Sequence, residues 1–162
     1  DKNLEAAWAQ RLPDSPLKNP DEALILASII ERETGSKLDR ALVGSVFNNR
    51  LKINMPLQTD PTVLYGASMD SKGEYARAYE GPWLPAKAQK NAWNTYQMTG
   101  LPRTPIAMPG KASLMAAVQP ASSNALYFVA KGDGTGGSTF SVTLADHNRA
   151  VTQYIQNQAK NK

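Results

Sequence analysis

The stretch "NPDEALILASIIERETG", Asn19 to Gly35, constrains the fold more than any other part of the chain. It is punctuated as a helix at both ends. Asn19 is an N-cap residue, Pro20 fits the first helical position, and Glu22 stands three residues after the cap, as in a capping box. Gly35 supplies a stop. The apolar run Ala23 to Ile30 is far short of the roughly 20 residues that span a bilayer, so it anchors a helix in a core. Glu31 lies at i+7 from Leu24, i+4 from Ala27 and i+3 from Ser28, along a partly apolar side, while Arg32 and Glu33 point elsewhere. Apolar neighbours and the negative end of the helix dipole both disfavour an ionised carboxylate. The spacing therefore predicts a raised pKa at Glu31, which is what a general acid needs. The plainer alternative is a solvated glutamate, or one paired with Arg32 or Arg50.

Composition narrows the remaining classes. The 162 residues, 41% hydrophobic and 20% charged, suit one globular domain. A net charge of +4, scattered along the chain, is too weak for a nucleic-acid partner. The absence of cysteine removes disulfides, thiol nucleophiles and cysteine metal sites. A single histidine, His147, argues against a zinc site, so neither metal nor cofactor is expected. The chain opens "DKNLEAAW", without a methionine, and is read as a piece of a longer protein whose anchor or export signal lies upstream.

The expected architecture is α+β: a helical domain with a small antiparallel β-hairpin and a C-terminal helix. Residues 1–19 read as a short helix and a proline-rich connector, 20–158 as the main domain and 159–162 as a polar tail. A second helix is expected from about Asp39 to Leu51, and a short helix or strand around Thr62 to Tyr65. Residues 67–98 read as a long, irregular excursion of the kind that often binds ligands. "KASLMAAV" reads as a helix, and "ALYFVAK" and "STFSVTL" as strands. The intervening "GDGTGG" is a hairpin connection that lacks the lysine of a phosphate loop. A last helix from about Asp146 carries His147, read as a structural hydrogen-bonding group.

Two stretches hold the equipment for sugars. "LQTDPTVLYG" offers Gln58, Thr59, Asp60, Thr62 and Tyr65; "NAWNTYQMTGLP" adds Trp93, Asn94, Thr95 and Tyr96. Amides bond hydroxyl and acetamido groups, and rings stack on pyranose faces. Each residue also has a structural alternative: Asp60 as a turn-capping group, Trp93 and Tyr96 as core.

Together "LASIIERETG", "VFNNRLKINMPLQTDPTVLYG", "WNTYQMTGLPRTPIAMPG", "ALYFVAKGDG" and "TFSVTLADHN" resemble the catalytic domain of the MltG or YceG-like endolytic murein transglycosylases, in order from about Leu4 to Tyr154. The resemblance implies a cell-envelope enzyme at the periplasmic face of the bacterial inner membrane, held by an anchor outside this chain. It implies cleavage of the β-1,4 bond between N-acetylmuramic acid and N-acetylglucosamine inside nascent strands, leaving 1,6-anhydro ends. Peptidoglycan strands and peptidoglycan synthases are the implied partners. It places the catalytic glutamate on Glu31 and substrate-groove residues on Gln58, Asp60, Thr62, Tyr65, Asn94 and Tyr96. A glycan-binding module with a vestigial acid, a muramidase-type hydrolase and a scaffold for synthases are the alternatives, and Asp60 or Glu33 stays open as a second carboxyl beside Glu31. Two positions depart from the family's pattern. Ser138 stands where a histidine is frequent, which implies that the histidine is dispensable, and "GLPRTPI" replaces "GLPPGPI" at one edge of the groove.

Overall fold

The computed structural model describes residues 1–33 and 36–162; the helix stop expected at Gly35 lies outside the described residues. The expected α+β architecture is present. Among the described residues, α1 (Lys2–Ala9), α2 (Pro20–Glu33), α3 (Arg40–Lys52), α4 (Asp60–Ala67), α5 (Trp83–Ala88) and α6 (Lys111–Val118) precede a hairpin, β1 (Tyr127–Ala130) and β2 (Ser138–Ser141). Helix α7 (Leu144–Lys160) closes the chain. No helix is long and apolar enough to cross a membrane among the described residues.

Helix α2 begins as its sequence predicts. The Glu22 N–H donates to the Asn19 side chain at 2.9 Å. The Glu22 carboxylate accepts in turn from the Lys18 N–H at 2.8 Å, one residue before the cap itself. Its Ala23, Leu26, Ala27, Ile29 and Ile30 are wholly inaccessible to solvent. They pack on α6, which also lies against α1 and α3. Phe47, Val43 and Val46 of α3 and Leu114, Ala117 and Val118 of α6 complete the core. The backbones of α3 and α6 approach so closely that a Cβ at Gly44 would stand 2.2 Å from the Ala116 carbonyl oxygen. Asn48, also buried, ties the two helices by donating to the carbonyls of Gly44 and Ala117 at 2.8 and 3.1 Å.

The hairpin is antiparallel, with Phe128 opposite Phe140. Phe128 packs edge-on against Phe47 at 5.9 Å between ring centres, which seats the hairpin on α3. Helix α7 packs against both strands of the hairpin. It starts at Leu144, two residues before the sequence suggested, because the Thr143 hydroxyl accepts from the Asp146 N–H and caps it. The excursion between α4 and α6 has little regular structure, as expected. It holds the short α5 and a single bridge between Met69 and Tyr75.

Candidate active site

Glu33 is the last residue of α2. It stands at i+7 from Leu26, i+4 from Ile29 and i+3 from Ile30, three residues with no exposed surface. The most deeply buried stripe of the helix therefore ends in a carboxyl group where the core opens into a cleft of about 470 Å³. Glu33, Arg50, Gln58, Asp60, Tyr96 and His147 line that cleft. Burial pushes the Glu33 carboxyl up from its ordinary 4.5 to about 7, and the negative charge of Asp60 pushes in the same direction. The backbone N–H of Asp60, at the start of α4, offsets part of the rise. The result is a group that is half protonated near neutral pH.

The floor under Asp60 is a network of hydroxyls and amides. The Thr59 N–H donates to the Thr95 hydroxyl at 2.9 Å, and the Thr62 and Thr95 hydroxyls lie 2.7 Å apart. Asn94, wholly buried, donates to the carbonyls of Lys87 and Gln89 at 2.9 and 2.7 Å and accepts from the Tyr96 N–H at 3.0 Å. This clamps the excursion into the turn that presents Tyr96. The Tyr96 hydroxyl donates to Asp60 at 2.7 Å. Burial, that hydrogen bond and the carboxylates of Asp60 and Glu33 hold the phenol protonated well above its usual range.

Gln58 is exposed to the cleft with φ of 53°, a left-handed conformation that costs a non-glycine residue energy. Its N–H donates to the Thr95 carbonyl at 3.3 Å, and the buried network beneath holds it there. Arg50, nearly buried, spends its guanidinium on the carbonyls of Leu126, Pro56 and Leu57 at 2.7, 3.0 and 3.1 Å. It thus fixes the Gln58 loop against the start of β1. His147 stacks on Tyr127 at 5.0 Å. Burial and the nearby Arg50 charge both favour its neutral form, and its buried Nδ1 has no hydrogen-bond partner among the described residues.

Glu31 faces the other way. It accepts from the Ser113 hydroxyl at 2.5 Å and the Gly110 N–H at 3.3 Å, with Arg40 at 3.9 Å. Gly110 and Ser113 form the N-terminus of α6, so Glu31 caps that helix from a neighbouring element, with Arg40 of α3 beside it. The Ser113 hydrogen bond is the largest of several influences that hold its carboxyl below the ordinary carboxylate value. The rise expected from its position on α2 is thus overturned. The dipole of α2 and its apolar neighbours are outweighed by donors contributed by α6, which no spacing within α2 reveals.

The other candidates separate into three groups. Gln58, Asp60 and Tyr96 meet Glu33 in the cleft. Thr62 and Asn94 have no exposed surface and serve beneath it. Tyr65 lines a second groove, on the far side of Asp60. Ser138 gives its backbone N–H to Asp39 at 2.8 Å and lies outside the cleft lining. Sequence reasoning kept Glu33 only as an alternative second carboxyl and passed over Arg50, Tyr127 and His147 as cleft residues. For Glu33 the sequence offered only side-chain size as a signal: Leu26, Ile29 and Ile30 are bulkier than Ala27 and Ser28, although all five are fully buried.

A carboxyl near neutrality, facing a polar cleft with a tyrosine and a second carboxylate, is suited to acid–base chemistry on a hydroxyl-rich ligand. The chain belongs to the YceG-like family, which residues 1–153 match. It is 42% identical over 135 residues to an endolytic murein transglycosylase of Bacillus subtilis, covering 83% of this chain and 35% of the relative. It is 29% identical over 159 residues to an endolytic murein transglycosylase of Streptococcus pneumoniae, covering 98% of this chain and 28% of the relative. The crystal structure of a protein described as yceG-like, from Listeria monocytogenes, superposes with a TM-score of 0.68 at 40% identity, over 80% of this chain and 39% of the other. The chain spans about a third of the length of the curated relatives it matches.

Proposed function

We propose that this domain cleaves murein strands internally, as a lytic transglycosylase, with Glu33 as general acid and then general base. The observation that carries the reading is the Glu33 carboxyl, raised to about 7 and facing the cleft beside Asp60 and Tyr96. Protonated Glu33 gives its proton to the glycosidic oxygen as the bond from muramic C1 to that oxygen breaks. The carboxylate it becomes takes the proton of the muramic C6 hydroxyl, whose oxygen bonds C1 and closes a 1,6-anhydro ring. No water is consumed. Asp60, held by Tyr96, supplies negative charge beside the oxocarbenium-like state, and Gln58 presents an amide to the sugar. Glu31 is left to cap α6.

The relatives named endolytic murein transglycosylases support the substrate class. In this reading the whole protein works at the periplasmic face of the bacterial inner membrane, beside peptidoglycan synthases, through an anchor outside the present chain. The test is mass spectrometry of products from uncrosslinked glycan strands. Anhydro-ended fragments from the native chain and from Glu31→Gln, and none from Glu33→Gln, are expected. Turnover that persists in Glu33→Gln overturns the assignment. The two carboxyls in one cleft also fit a hydrolase, and reducing-end products in place of anhydro ends would identify a muramidase.

A further inference from the structure

The second groove, of about 630 Å³, shares Asp60 with the cleft of Glu33. Arg32, next to Glu33 in the chain, turns to this side. The wall is aromatic. Tyr65 lies 5.6 Å from Tyr75 and 6.2 Å from Trp93 between ring centres, and Tyr79 also lines the groove. Leu64, Pro61, Ala78 and Ile106 add small apolar surfaces. Arg32 is the one cation of the lining, is exposed, and has no ion-pair or hydrogen-bond partner among the described residues.

We infer that this groove holds the peptide borne by a muramic residue of the bound strand, with Arg32 taking the free carboxylate of its acidic second residue. The inference deepens the murein reading of the adjoining cleft and rests on it. An N-acetylhexosamine ring carries no negative charge to pair with a guanidinium. The peptide on muramic acid brings short aliphatic side chains and free carboxylates, which match the apolar wall and the exposed fork of Arg32. A strand cut internally must continue past Glu33, and the groove that shares Asp60 gives its substituents a place to lie. The volume is that of a small-ligand site, enough for two or three residues.

The test uses a probe that cannot be cut. A muramoyl dipeptide contains one sugar, and it can be prepared with the second residue as the free α-carboxylic acid or as the α-amide. Titration followed by amide resonances is expected to move Arg32, Tyr65, Tyr75 and Tyr79, with the acid binding about tenfold tighter than the amide, as for one charge-assisted contact. Arg32→Gln is expected to bring the two affinities together, and Arg32→Lys to restore part of the difference. Equal affinities in the native chain, shifts confined to the Glu33 cleft, or no shifts at all overturn the inference. A chain that cuts no strand yet separates acid from amide overturns the cleavage reading and supports this one.

Discussion

The two sides of the end of α2 differ by two residues in sequence and by opposite physics in space. On one side Glu31 meets a hydroxyl, a backbone N–H and an arginine around the start of α6, and its carboxyl is held ionised. On the other, Glu33 meets burial and the charge of Asp60, and its carboxyl is held near neutrality. The same residue type on the same helix becomes a cap in one place and a candidate acid in the other. What separates them is the neighbour each side chain is packed against. The helix they share contributes little to the difference.

The widest separation should appear in turnover. Glu33→Gln is expected to lower strand cleavage by about a hundred- to ten-thousandfold, the size of a lost general acid, while Glu31→Gln keeps it within about tenfold and lowers stability by about 1 kcal/mol, as for a lost cap. Product analysis and thermal melts of the two variants check both, and equal losses of turnover would erase the contrast.

Stability against pH should sharpen it next. A carboxyl raised from 4.5 to about 7 contributes its full stabilisation below pH 4.5 and loses it as the pH rises toward 7. Glu33→Gln should therefore match the native chain near pH 4 and exceed it at pH 8, by on the order of 3 kcal/mol. Glu31 has the opposite sign: its contribution is present above its ordinary value and is lost as pH falls. Urea melts at several pH values would show the two curves crossing; parallel curves would remove the distinction. In the same direction, kcat/KM should fall above pH of about 7 as the acid of the first step ionises.

Smaller effects should divide the residues under the cleft from those on its surface. Asn94→Ala leaves the carbonyls of Lys87 and Gln89 without their donor and is expected to cost about 2 kcal/mol. Its KM should move little once the protein is folded. Gln58→Gly relieves a left-handed backbone and is expected to stabilise by about 1 kcal/mol while raising KM. Melts paired with steady-state kinetics would decide; a Gln58→Gly variant that loses stability would place Gln58 with the structural residues.

Much of the architecture was legible without coordinates, because local chemistry dictates it. Asn19, Pro20 and Glu22 announce the start of α2, apolar spacing marks α3, and the glycine-rich turn joins two strands as expected. Helix α4 starts earlier than the sequence suggested, at Asp60, with Pro61 inside its first turn, where a missing N–H is harmless. The equipment of the cleft was also visible in "LQTDPTVLYG" and "WNTY". Which of those residues face a ligand was not. Asn94 and Thr62 belong to the same polar stretches as Gln58 and Tyr96, yet their hydrogen bonds run inward to partners at the far ends of turns.

The sequence by itself determined the helices, the hairpin and the supply of acids and amides, since caps, glycines and apolar periods act over a few residues. Only the tertiary structure decided which glutamate is poised near neutrality. A carboxyl's pKa is set by whatever surrounds it in space, and the deciding surroundings are assembled from distant parts of the chain: the Ser113 hydroxyl above all for Glu31, and burial first, then the charge of Asp60, for Glu33.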